Sequence, residues 1–233
     1  NIGIRTFWHL IHLYKTASNA LNKIADLSIR GGRNKPIKIF SIEQAEKELE
    51  KKSAHLDDLL GFSSIPNEVT PKGGGPGAER AFNLHNYGIT TWGDLFNNRQ
   101  KLAMLTFLEC IKDVEALLIN KGINEGYRSA IMTYLGLGLD RLANRSNQHN
   151  VWNVHAEKAE QIFLRQTLSV CWDYCELNTV ENQGSGNQYS YILKPLENLS
   201  LIKTAGQVSQ ASATNIEIEN FSLDAIFTDP PYY

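Results

Sequence analysis

The residues best suited to chemistry lie at the end of the sequence, where an acid is followed by two prolines and a tyrosine. The carboxylate of Asp229 and the backbone carbonyl of Pro230 supply two acceptors for the two hydrogens of an amine. Pro230 and Pro231 fix the backbone, so both acceptors are in place before a substrate arrives. Tyr232 offers a ring on which a flipped base can stack. We therefore predict Asp229, Pro230, Pro231 and Tyr232 as catalytic residues that activate an aromatic amine toward the methyl group of a sulfonium.

The residues just before this motif predict the element that positions it. Leu223, Ala225, Ile226 and Phe227 form a short apolar run, which is typical of a buried strand in a parallel sheet. Asp229 then falls at the carboxyl end of that strand, where open α/β sheets bind their ligands. The alternative is a simple turn or a proline-rich ligand, because proline pairs commonly mark turns.

Helical patterns dominate the rest of the chain. Apolar residues predict helices in 2–29, 104–118, 127–142 and 159–176. A helix-start serine and i,i+4 charge pairs predict one more in 41–52, so there are five predicted helices: 2–29, 41–52, 104–118, 127–142 and 159–176. In the fourth of these, Gly136 and Gly138 allow a neighbour to approach closely. Arg141 and Arg145 near its end favour the helix dipole or meet a phosphate. The glycine- and proline-rich stretch 61–77 predicts a junction, which divides the chain into a helical region of unknown role (1–70) and a second region (71–233).

Composition narrows the class of protein. With 233 residues, of which 42% are hydrophobic, the chain can bury a core. The apolar runs are too short for a membrane span, and three cysteines without a signal-peptide pattern indicate a cytoplasmic protein without a metal site. The formal net charge of −2 requires any DNA contact to be local. Its best candidates are Arg30, Arg33, Lys35 and Lys38, although an ordinary solvated loop is the commoner explanation of such a charge block.

Several segments resemble a prokaryotic family of putative adenine-specific DNA methylases. They are the ending Phe227 to Tyr232, and Gly73-Gly74-Gly75-Pro76-Gly77, Trp92-Gly93-Asp94-Leu95-Phe96, Arg99-Gln100-Lys101-Leu102-Ala103, Leu139-Asp140-Arg141-Leu142-Ala143, Arg165-Gln166-Thr167-Leu168 and Trp172-Asp173-Tyr174. The similarity spans about residues 70–233 and leaves the first 70 residues without a named relative.

This resemblance implies an α/β protein, with a partial Rossmann-like methyltransferase sheet and a large, mainly helical N-terminal region or insert. It implies S-adenosylmethionine as cofactor, DNA as partner, and methyl transfer to adenine-N6 ahead of cytosine-N4. Ser212, Ala213 and Thr214 occupy the place where related enzymes contact the adenine of the cofactor. The main cofactor loop of such enzymes, Phe-x-Gly-x-Gly, lies upstream of the region present, so the fragment is not expected to catalyse alone.

Two other functions stay open. A related motif occurs in methyltransferases that act on RNA or on protein amides, so the acceptor is less certain than the reaction. The other alternative is a non-catalytic module, in which residues 1–150 form a helical region that recognises DNA or a partner protein.

Overall fold

The computed structural model describes most of the middle of the chain and parts of its end. The described residues are 42–75, 83–164, 168, 170–179, 188–199, 201, 204, 206–212, 214, 218–219 and 222–229. Contacts divide the chain into two compact units, with the boundary between residues 200 and 201. The helices and strands named below all belong to the first unit.

Two long helices form the first layer of this unit. Helix α1 spans Ile42–Leu60 and helix α2 spans Asn98–Asn120. Helix α2 begins with a capping box, in which the side chain of Asn97 accepts from the backbone N–H of Gln100 and the Gln100 side chain accepts from that of Asn97. It ends before Gly122, whose φ of 66° is a left-handed conformation that glycine adopts without strain. Both helices confirm the sequence pattern, although α1 extends eight residues beyond the predicted end at residue 52.

A cluster of leucines holds α1 against α2. Leu49, Leu56 and Leu105 are buried, and Ile65, Leu102 and Leu108 pack around them. Each buried leucine contributes about 1.5–3 kcal/mol relative to exposure, so this contact is the main source of stability between the two helices.

Helix α3 spans Glu125–Ala143 and is followed much later by the short helix α4, Ser190–Leu199. The side chain of Asn124 caps α3 by accepting from the backbone N–H of Gly126 at 3.0 Å. The predicted close approach is confirmed at Gly138, where a Cβ atom would overlap the ring of Tyr189. At Gly136 a Cβ atom would meet no atom within 4 Å. The Tyr189 ring in turn stacks on Phe107 of α2, with centroids 6.0 Å apart, so it joins the start of α4 to two helices.

A second core lies under the loops. Leu84, Leu95, Ile162 and Leu168 are buried together, the first two within 3-10 helices at Leu84–Tyr87 and Trp92–Leu95. The hydrogen bond from the backbone N–H of Gln148 to the carbonyl of Leu95, 2.8 Å long, ties this core to the chain beyond α3.

The predicted α/β fold class is wrong. The described residues form four α-helices and one antiparallel hairpin, made by β1 (Trp152–Asn153) and β2 (Lys158–Ala159). Two strands of two residues each do not make a Rossmann-like methyltransferase sheet, which needs several parallel strands covered by helices. The described part of the first unit is therefore mainly helical, with one small hairpin.

Two further local predictions are wrong. Residues 222–229 are irregular, and Leu223, Ile226 and Phe227 are 51%, 75% and 94% exposed, so the predicted buried strand is not formed. The predicted helix over 159–176 begins inside β2, and residues 170–179 are irregular. A short apolar run is compatible with a strand, a helix or an exposed loop, and only its packing partners decide among them.

None of the helices within the described residues is both long and apolar enough to cross a membrane.

Candidate nucleic-acid interface

One exposed cluster in the described residues consists of an aromatic ring with two cations close to it. The ring is that of Tyr191 on α4, which is 52% exposed. The guanidinium carbon of Arg141, from the last turn of α3, lies 4.5 Å from the ring centroid. The ammonium of Lys194 lies 5.9 Å from it. We call Arg141, Tyr191 and Lys194 the α3–α4 cluster.

Local structure explains how the cluster is assembled. Gly138 removes the side chain that would otherwise meet Tyr189, so the start of α4 packs directly on α3. Tyr191 and Lys194 are then three residues apart on α4, which places both side chains on one side of that helix. Arg141 reaches them from three residues further along α3 than Gly138.

An open cavity of about 520 Å³ lies beside the cluster. Arg141, Asn144, Phe163 and Ile192 line it, together with Asp140. Phe163 is 47% exposed and contacts Trp92, with ring centroids 6.5 Å apart. The cavity therefore combines an aromatic ring, a guanidinium, an amide and a carboxylate next to the exposed Tyr191.

This arrangement can bind nucleic acid through two kinds of contact. A cation over an aromatic face is stabilised by about 0.5–1 kcal/mol at exposed sites, which holds Arg141 and Tyr191 in position. Exposed rings stack on bases without regard to sequence, and Arg and Lys side chains contact phosphates. The cluster has the chemistry for both.

A second polar cluster, at the start of α2, is neutralised internally. Arg99 donates from Nε to Glu176 at 2.9 Å and also donates from Nη2 to the same carboxylate. Asn97 donates to both Glu176 and the hydroxyl of Tyr174. The hydrogen bond from Arg99 lowers the pKa of Glu176, burial opposes this, and Asn97 adds to the lowering. Since its guanidinium already has a carboxylate partner, Arg99 is the weaker candidate for a phosphate.

The predicted catalytic residues lie in the second unit. Asp229 is exposed in the irregular segment 222–229, while Pro230, Pro231 and Tyr232 fall outside the described residues. Their catalytic role stays a prediction, but the strand that was expected to place Asp229 at a sheet edge is not there.

The predicted cofactor residues are partly described. Ser212 and Thr214 are exposed, and their hydroxyls lie 2.9 Å apart within hydrogen-bond distance of each other. Ala213 falls outside the described residues. Exposed hydroxyls that bond to one another do not enclose an adenine ring by themselves, and S-adenosylmethionine binding stays a prediction.

The predicted DNA-contacting residues Arg30, Arg33, Lys35 and Lys38 fall outside the described residues, so DNA contact by them stays a prediction. The described residues contain no group of three or more His, Cys, Asp or Glu side chains arranged to hold a metal ion.

Two cysteines fall in the segment that was predicted as a helix over 159–176. The segment around Cys171 and Cys175 is irregular. The thiol of Cys171 contacts the carbonyl of His149 at 3.4 Å, and that of Cys175 contacts the Asn150 side chain at 3.2 Å. Both thiols therefore attach this segment to the turn after α3.

Sequence reasoning missed two members of the α3–α4 cluster. Arg141 was noted as a cation that favours the helix dipole or meets a phosphate, but Tyr191 and Lys194 were not noted. The available signal was an aromatic and a basic residue at i and i+3, which is too common to point to a site without knowledge of the packing.

Comparison with known proteins gives one family match. The profile described as DprA-like N-terminal HHH domain matches residues 1–50. No curated protein and no solved structure matches the chain. The resemblance to putative adenine-specific DNA methylases is therefore overturned: no methyltransferase family matches, and the match found lies where the sequence suggested no named relative.

Proposed function

We propose that this chain is a DNA-binding helical module. The observation that carries the proposal is the match of residues 1–50 to the N-terminal HHH domain of a DNA-processing protein family. The four cations predicted from sequence to contact DNA, Arg30, Arg33, Lys35 and Lys38, all fall inside the matched residues. A chain of net charge −2 needs such local clusters in order to bind a polyanion.

The α3–α4 cluster supports the same function from a second place in the chain. It presents an exposed ring and two cations, a combination that suits bases and phosphates. We propose it as a second contact, which adds binding energy to that of residues 1–50 without requiring a specific base sequence.

The test measures binding of the full chain to fluorescently labelled DNA by anisotropy, over a series of salt concentrations. We expect affinity to fall steeply with salt, because each neutralised phosphate releases counterions. Replacement of the four N-terminal cations by glutamine should weaken binding, whereas replacement of Lys47 and Lys51, two exposed cations of α1, should not. Absence of binding at low salt would reject the DNA-binding module and favour recognition of a protein partner.

Methyl transfer from S-adenosylmethionine to an exocyclic amine is a second candidate. It rests on the sequence Asp229-Pro230-Pro231-Tyr232, whose carboxylate and proline carbonyl are the two acceptors that amine activation needs. Adenine-N6 of DNA is the preferred acceptor, with RNA or protein amides as alternatives. Transfer of label from S-adenosylmethionine to DNA, RNA or protein tests this candidate.

A further inference from the structure

Two arginines at or just after the end of α3 have donors without a partner among the described residues. Arg145, four residues after Arg141, is only 7% exposed and donates from its guanidinium to the carbonyl of Ala159. The Nε atoms of both Arg141 and Arg145 are buried and have no hydrogen-bond partner in the part of the chain that the structure describes. Buried donors of charged groups are costly to leave without a partner, so these two nitrogens call for an acceptor.

The charge around these arginines is also unbalanced. Neither of them forms an ion pair within the described residues. Burial and the positive charge of Arg141 lower the pKa of Arg145, and the charges of Glu160 and Tyr191 oppose this lowering. Glu160 is itself engaged, because it accepts from Asn153 at 2.7 Å and lies 3.5 Å from the ammonium of Lys158.

The helix dipole accounts for only part of this arrangement. A cation in the last turn of a helix gains about 0.3–1 kcal/mol from the dipole, which suits the half-buried Arg141. The dipole does not explain why the guanidinium of Arg145 is buried close to that of Arg141. Burial of a second charge costs more free energy than the helix dipole supplies. An anion bound beside Arg141 would offset the repulsion between the two guanidinium groups.

The cavity beside Arg141 offers a route for such an anion. Its volume is about 520 Å³, and Asp140, Arg141 and Asn144 contribute polar groups to its wall, whereas Arg145 is not among the lining residues. The exposed ring of Tyr191 lies against the same guanidinium. A phosphate that enters there would reach Arg141 from solvent and would carry an attached nucleoside toward the ring.

We propose that Arg141 and Arg145 form a phosphate-binding site at the end of α3, and that its ligand is a backbone phosphodiester of DNA. The identity of the ligand rests on the proposed function, whereas the phosphate chemistry does not. Guanidinium groups suit phosphate because their planar N–H donors match its oxygens.

Two measurements on the full chain test the site. The first is the shift in melting temperature caused by inorganic phosphate relative to chloride at equal ionic strength. The second is the salt dependence of DNA binding by anisotropy. Both use wild type, Arg141→Gln, Arg145→Gln and Arg128→Gln, the last being a half-buried arginine near the start of α3 that serves as the matched control. Because Arg145 also bonds to Ala159, Arg141→Gln keeps the test informative if the other variant fails to fold.

We expect phosphate to raise the melting temperature of wild type and Arg128→Gln but not of the two site variants. We also expect the slope of log affinity against log salt to fall by about 0.9 in Arg141→Gln, the value for one lost phosphate contact. DNA binding with an unchanged slope and no phosphate-specific shift would overturn the site but leave the proposed function intact. A phosphate-specific shift without DNA binding would reject the proposed function and assign the site to a free phosphate compound.

Discussion

Arg141 and Tyr191 lie 50 positions apart in the sequence, yet the guanidinium of one sits 4.5 Å from the ring centre of the other. The pair joins the last turn of α3 to the first turn of α4 at an exposed surface. Each residue alone is ordinary. Together with Lys194, which like Tyr191 lies on α4, they form the α3–α4 cluster that supports the DNA-binding proposal.

Replacement of Tyr191 by alanine should weaken DNA binding by about tenfold, because stacking of a base on an aromatic side chain contributes about 1–3 kcal/mol. Replacement by phenylalanine keeps the ring and should change affinity by less than about twofold, since the stacking term does not need the hydroxyl. Anisotropy titrations with single-stranded and duplex DNA of equal length give both numbers. Equal losses in the two variants would argue that the hydroxyl, and not the ring, makes the contact.

Gly138 and Gly136 of α3 should respond oppositely to alanine. At Gly138 the new Cβ atom would overlap the Tyr189 ring, with Cζ only 2.9 Å away, so we expect a destabilisation of about 1–3 kcal/mol. At Gly136 nothing lies within 4 Å, and alanine should stabilise the helix by up to about 1 kcal/mol. Urea denaturation of the two variants measures the difference. Similar losses at both positions would show that Gly138 is not the point of close approach.

The ion pair between Arg99 and Glu176 should make stability depend on pH. The Arg99 hydrogen bond holds the pKa of Glu176 below its usual value of 4.5, so the stabilisation is present above that value and is lost as pH falls through the lower folded pKa. Glu176→Gln should cost about 1 kcal/mol at neutral pH, a figure that allows for partial solvent screening.

Unfolding free energies at neutral and acid pH check this. The difference between wild type and Glu176→Gln should shrink below about pH 4, where the unfolded carboxyl is protonated. Glu115→Gln removes an i,i+3 partner of Lys112 on α2 and is the control, with an expected cost of a few tenths of a kcal/mol, about the value of such pairs. A difference that stays constant with pH would mean that Glu176 stabilises by packing and not by charge.

The methyltransferase candidate predicts transfer of label from S-adenosylmethionine to a polymer. The full chain is incubated with unmethylated DNA, RNA and protein, and with Asp229→Ala and Asp224→Ala compared in parallel. Transfer that is lost in Asp229→Ala and kept in Asp224→Ala would support amine activation by Asp229. No transfer to DNA, RNA or protein would reject the candidate.

The sequence predicted the long helices well because their signal is long. The stripe from Met104 to Leu118 repeats over four turns and has a capping asparagine before it and Gly122 after it, so local and tertiary preferences agree. Helix α4 was not predicted. It is short and contains Pro195, which lacks an N–H and normally ends a helix, so its position depends on packing against α3.

The strand at 223–227 shows the opposite case. Its apolar run spans only five residues, and a run of that length takes its structure from whatever covers it. Ile226 and Phe227 are largely exposed. Without described residues packed over it, this apolar run does not form a buried strand. The α3–α4 cluster could not be predicted from the sequence either. Sequence spacing does not relate Arg141 to Tyr191 and Lys194, which lie 50 and 53 positions further on.

Helix α1 has a consequence for any attempt to divide this protein. The family match ends at residue 50, inside a helix that runs from Ile42 to Leu60 and is about 28 Å long at 1.5 Å per residue. Leu49 lies before that limit and Leu56 after it, and both anchor to Leu105. A cut at residue 50 would divide helix α1 and separate Leu49 from Leu56, so residues 42–50 of the matched region belong to the same packed helix as residues 51–60.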